Sequence, residues 1–164
     1  MGGVYIDTDV EIRKPFSEDM LNRDLVLGYM YENTLSTAVI MATPKHPFIK
    51  GLIERYQQMS FSGELPNNSI ITQEFIRHFP NEKIDGKTKN IEGNGLILEC
   101  HYFEMPTYDP TAGYTIHHFN GSWHSCKSRI RDFIKPLFVR IKFSIFAFNY
   151  WYQNYKVLPR FRGS

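Results

Sequence analysis

Cysteine is scarce in this 164-residue chain: Cys100 and Cys126 are the whole supply, without Cys-x-x-Cys spacing or the histidine framework of a zinc site. A disulfide-stapled scaffold is therefore excluded, and reduced, partly buried thiols fit a cytosolic protein. Uncharged apolar runs of about eighteen residues are missing, as are the basic start, apolar middle and small-residue cleavage site of a signal peptide. The sequence reads as neither secreted nor membrane-spanning. No phosphate-cradling glycine loop occurs: Gly86, Gly93 and Gly95 fall among Asn, Lys and Asp residues, as turn formers in a surface connection. A surplus of one charge is lacking as well, with 19 Lys or Arg against 17 Asp or Glu.

That balance conceals an asymmetry. Residues 127–164 hold nine Lys or Arg against one acid, Asp132, which leaves the first 126 residues with ten basic and sixteen acidic side chains. The two parts are expected to face different surroundings. Composition is otherwise that of a globular domain with a sizeable core, 42% hydrophobic and 22% charged. Aromatic residues, at 15%, supply flat surfaces for packing or for stacking on sugars.

The most informative stretch runs from Met1 to Glu11. Val4-Tyr5-Ile6 is a short β-prone run after Gly2 and Gly3, expected as a buried strand entered from a tight turn. Asp7 and Asp9 follow, two apart, so a continued extended backbone sends both carboxylates to one side. Paired carboxylates repel, and burial protonates one of them unless a cation or a set of donors intervenes. A divalent cation such as Mg2+ or Mn2+ resolves that conflict. The alternative is a solvated turn after a strand, which Asp and Thr also suit.

Further along, Ser17 caps a single helical turn, and Leu25 to Met30 and Ser36 to Ala42 read as strands. Pro47 opens a helix over Phe48 to Met59, whose Phe48, Ile49, Leu52, Ile53 and Tyr56 form one buried face. His46, just before it, reads as a loop residue. A second helix begins at Asn68 or Ser69 and ends before Pro80, and Leu96 to Leu98 is another strand. The run Tyr114-Thr115-Ile116 then delivers His117 and His118, with Ser122-Trp123 close behind. Neutral imidazole suits Mn2+, and alternation aims only one of two adjacent histidines at any site. A structural role for both is the alternative.

The string Gly2-Gly3-Val4-Tyr5-Ile6-Asp7-Thr8-Asp9-Val10-Glu11, with Lys14-Pro15 after it, resembles the Asp-x-Asp (DXD) signature of sugar-nucleotide-dependent glycosyltransferases. It looks most like family 32, which includes bacterial capsular polysaccharide glycosyltransferases and fungal mannosyltransferases. The resemblance covers about residues 2–123. It implies an α/β fold with a GT-A-like, Rossmann-like nucleotide-diphospho-sugar transferase core, in which this string ends a central strand. It also implies Mn2+ or Mg2+ held by Asp7 and Asp9, with Asp7 touching the ribose or sugar, His118 nearest the metal and His117 next. Ser122 and Trp123 are then expected near the donor diphosphate, where a hydroxyl and an indole N–H are suitable donors. Asn33, Ser36 and Thr37 answer approximately to an Asn-x-x-Ser-Thr-Ala segment bordering the sugar. The implied reaction is retaining transfer of a sugar from a nucleotide-diphosphate sugar to a polysaccharide or glycolipid acceptor, with no residue standing out as a nucleophile.

The resemblance begins in the family's middle, after the region that makes the first strands and binds the base. Residues 1–126 are thus expected to be the carboxy-terminal part of an amino-terminally truncated catalytic domain, with an exposed sheet edge. Residues 127–164 are expected to form a basic helical tail, with Ile130, Ile134, Leu137, Ile141, Ile145 and Phe148 on one stripe and Pro136 dividing it. Such a tail suits peripheral contact with the anionic inner face of a membrane, where a lipid-linked acceptor lies; packing against the domain is the alternative. No nucleic-acid recognition motif accompanies the basic residues. The rival to an enzyme is an inactive remnant or subunit that binds a partner chain or a membrane surface. A metal-dependent phosphohydrolase lacks the further ligands of a two-metal site.

Overall fold

The computed structural model describes residues 2–59, 67–104 and 113–118. The chain separates into two compact units, Met1–His117 and His118–Ser164; apart from His118, every described residue belongs to the first. The division expected after residue 126 falls outside the described residues.

The first unit is mixed α/β. In chain order it contains β1 (Gly3–Ile6), β2 (Val10–Ile12), α1 (Glu18–Leu21), β3 (Leu25–Tyr31), β4 (Thr34–Leu35), β5 (Val39–Ala42) and α2 (Pro47–Gln58). There follow α3 (Asn67–His78), β6 (Lys89–Ile91), β7 (Gly95–Leu98), α4 (Cys100–Phe103) and β8 (Thr115–His117). The main sheet has the order β1-β5-β3-β7-β6, with β4 paired to β3, while β2 and β8 make a separate antiparallel ribbon. Only the β3–β7 pair is parallel among the described strands.

β3 is the centre because both of its faces are covered. Val26 joins Val39, Met41, Leu96 and Leu98 in a cluster closed by Met20 and Phe103. Leu25, Leu27 and Tyr29, which alternate with Val26, are equally buried. The apolar run read from the sequence as a strand therefore occupies the interior.

β1 departs from its expected place. It pairs with β5, is the terminal strand of the sheet among the described strands, and leaves Val4 41% and Tyr5 54% exposed. An apolar run fixes the extended conformation but not what lies beside it. The helix read over Phe48 to Met59 is α2, opened by Pro47. Its buried face is narrower than its periodicity implies: Phe48 and Leu52 are buried, whereas Ile53 and Tyr56 are exposed. Each buried side chain contributes about 1.5–3 kcal/mol, and Phe48 meets Phe75 and Phe79 of the α3 region, with ring centroids 6.3 and 6.0 Å away.

Two further differences are local. Thr37 and Ala38 form a bend and only Val39–Ala42 pair as a strand. The stretch read as a surface connection contains β6, folded back onto β7 through a turn in which Gly93 (φ 74°) and Asn94 (φ 56°) adopt the left-handed backbone. Cys100 is buried, and no helix among the described residues is long and apolar enough to cross a membrane.

Candidate metal centre

The extended backbone of β1 stops at Ile6. Asp7 donates its N–H to the Ala38 carbonyl (2.9 Å), and Val10 donates back to the Asp7 carbonyl (3.2 Å), closing a turn over Thr8 and Asp9. The Thr8 N–H donates to Asp7 Oδ1 (2.8 Å) and orients that carboxylate. The two carboxylates thus converge through a turn and not through strand alternation.

The turn leads straight into β2, whose Val10 is in register with His117 of β8. The ribbon is anchored by the Arg13 N–H donating to the Tyr114 carbonyl (2.8 Å) and by the buried Thr115 hydroxyl donating to the Phe103 carbonyl (2.5 Å). It carries an imidazole from a segment more than a hundred positions away to the carboxylates. His117 Nε2 lies 3.2 Å from Asp9 Oδ1. One donor atom each from Asp7, Asp9 and His117 fall within 4.8 Å of one another, and all three residues are part-buried.

The other ring nitrogen of His117 meets a carboxylate that was not expected. Nδ1 is 2.7 Å from Oε2 of Glu104, a residue with no exposed surface at the end of α4. The Glu104 carbonyl also accepts from the His117 N–H (2.7 Å). The Ser36 hydroxyl donates to Oε1 of the same carboxylate, while Ser36 Oγ accepts from the Ala38 N–H (2.9 Å). Burial lowers the His117 pKa, but the hydrogen bond to Glu104 and the charges of Glu104, Asp9 and Asp7 outweigh it, and the net shift is upward. Burial, reinforced by Asp7 and Asp9, likewise raises the Tyr5 phenol.

The donor set fits a divalent cation. Ligands around an octahedral cation at about 2.1 Å stand about 3 to 4 Å apart, so the trio needs only small side-chain rotations to close. Two carboxylates with one imidazole suit Mn2+ and other borderline cations, and Mg2+ through the oxygens.

Of the two adjacent histidines, His117 meets the carboxylates; His118, ranked ahead of it from the sequence, is exposed. Ser122 and Trp123 lie outside the described residues. Of the Asn33, Ser36 and Thr37 segment, Ser36 reaches Glu104, whereas Thr37 bonds to Asn68 Oδ1 through its N–H (3.1 Å) and its hydroxyl (3.0 Å). A cleft of about 450 Å³ lined by Asp24, Lys45, His46, His78 and Glu92 lies past the far end of β5. Among the described residues no second trio of metal-ligating side chains gathers there or elsewhere. No family model, curated protein or solved structure matches the chain.

Proposed function

We propose that the chain carries the metal-binding site of a glycosyltransferase. Its substrates are a nucleotide-diphosphate sugar and a saccharide or lipid-linked acceptor, and its fold is a GT-A-like variant of the mixed α/β architecture. The observation that carries this reading is the meeting of Asp7, Asp9 and His117 at the exit of a strand, brought from the two ends of the stretch that the resemblance covers.

Asp7, Asp9 and His117 would hold Mn2+ or Mg2+, which when bound supplies positive charge against the diphosphate leaving group. That charge matters more as the glycosidic bond breaks than before, because negative charge grows on the departing phosphate. The Thr8 N–H keeps Asp7 oriented, and the ribbon of β2 and β8 keeps His117 against Asp9. Retention by an internal-return mechanism, in which the acceptor hydroxyl would attack the anomeric carbon from the face the phosphate leaves and give its proton to that phosphate, asks for no protein nucleophile. Residues 127–164, rich in Lys and Arg, would hold the protein on the cytoplasmic face of a membrane near a lipid-linked acceptor.

A second reading, a non-catalytic chain that binds a partner, is favoured by the exposed Val4 and Tyr5 on the outer strand. Calorimetry with a panel of UDP- and GDP-sugars separates the two. Binding that requires Mn2+ and is lost in Asp9→Asn supports the transferase. A folded protein that takes no nucleotide sugar with Mn2+ present supports the partner-binding chain.

A further inference from the structure

Two carboxylates of the described fold are completely buried, Glu74 and Glu104, and they are neutralised in different ways. Glu74 of α3 accepts from Arg77 Nε (3.0 Å) and Nη2 (2.5 Å), with Arg55 Nη1 3.8 Å away. Those guanidinium groups explain its burial as a structural ion pair joining α2 to α3. Among the described residues Glu104 has no Lys or Arg within ion-pair distance; its side-chain partners are the Ser36 hydroxyl and His117 Nδ1. A buried carboxylate is costly unless its environment satisfies it. Here the satisfying group is an imidazole whose far nitrogen faces Asp9.

We propose that Glu104, held by Ser36, is the positioning residue of the cation site. It keeps the proton of neutral His117 on Nδ1 and aims the Nε2 lone pair at the carboxylate pair, which gives the site its preference for a nitrogen-accepting cation of the Mn2+ type over Ca2+. This rests on the reading of Asp7, Asp9 and His117 as a metal site, and is independent of which substrate that site serves. Three features carry it. The ring is gripped at Nδ1 at 2.7 Å, leaving Nε2 as the nitrogen that faces Asp9. The backbone bond from the His117 N–H to the Glu104 carbonyl, also 2.7 Å, fixes the two residues in register. The carboxylate itself cannot swing away, because Ser36 occupies its second oxygen and is in turn fixed by the Ala38 N–H and by its own N–H to the Gly28 carbonyl (2.8 Å). Carboxylates placed behind metal-bound imidazoles act in this way, and their loss weakens metal binding by about 10- to 100-fold.

The test is a titration of Mn2+ and Ca2+ into the full chain, its Glu104→Gln, Ser36→Ala and His117→Ala variants and the Glu104→Gln/His117→Ala double variant. Folding of each is checked by circular dichroism. Glu104→Gln should lose Mn2+ affinity by about 10- to 100-fold with little change for Ca2+, which depends on the carboxylates. Ser36→Ala should lose about 2- to 10-fold for Mn2+, and it keeps the test open if Glu104→Gln does not fold. Because Glu104 acts through His117, the double variant should bind Mn2+ no more weakly than His117→Ala. A folded Glu104→Gln with native Mn2+ affinity, additive losses in the double variant, or, if Glu104→Gln does not fold, a Ser36→Ala with native affinity, overturns the role of Glu104 and leaves the metal site standing. Absence of Mn2+ binding by the native chain overturns both.

Discussion

His46 shows how a histidine can take the place of a conventional helix cap. It precedes α2, and its Nδ1 accepts the Phe48 N–H (3.3 Å), filling the capping position that Ser or Asp more often takes. Protonation would remove that acceptor. Burial, followed by the nearby His78, lowers its pKa from the ordinary 6.5, although Asp24 opposes them. The unfolded chain therefore takes up this proton more readily than the folded one. The contribution is complete above about pH 6.5 and is lost as pH falls towards and through the lower folded value. Urea midpoints measured between about pH 7.5 and about pH 5 should decline less for His46→Asn, which caps without titrating. An equal decline would remove His46 from the acid sensitivity. From the sequence His46 reads as a loop residue, because capping by a histidine has no spacing of its own to betray it.

The element that couples the core to the site is α4, a single turn between β7 and Glu104. β3 lets it approach closely only because Gly28 has no side chain: a Cβ there would stand 2.7 Å from Phe103 Cδ2. Phe103 is fully buried. Gly28→Ala should cost about 1–3 kcal/mol through overpacking, read as a lowered urea midpoint. It should also weaken Mn2+ binding, because the displaced turn carries Glu104. Native stability in this variant would show that the turn yields without strain. The elements legible in the sequence were those with a local signature: α2 through Pro47 and its apolar period, β3 through its continuous run, and β7 through Leu96 to Leu98. α4 and β6 had none, since a single turn has no period and the residues of β6 pair with a strand across a tight turn.

On the scale of the whole molecule, the partners of each segment were the hidden quantity. Asp7 and Asp9 could be read as a cation site from their chemistry, yet the turn that joins them depends on Ala38 and the ribbon on Tyr114. Glu104 was invisible because nothing near it in the sequence marks it; only the return of β8 brings His117 to it. The same holds for β1, whose composition suits an interior strand but whose position is the sheet's edge. What unites the fold is that separate segments deliver two carboxylates and an imidazole to one point. The most direct test follows the free Mn2+ signal by electron paramagnetic resonance as the folded native chain is titrated in, beside Asp9→Asn and His117→Ala. Loss of signal at one equivalent, with affinity falling at least about 10-fold in each variant, is the predicted result; a signal unchanged by the native protein, or equal binding by all three, would rule out a cation site at Asp7, Asp9 and His117.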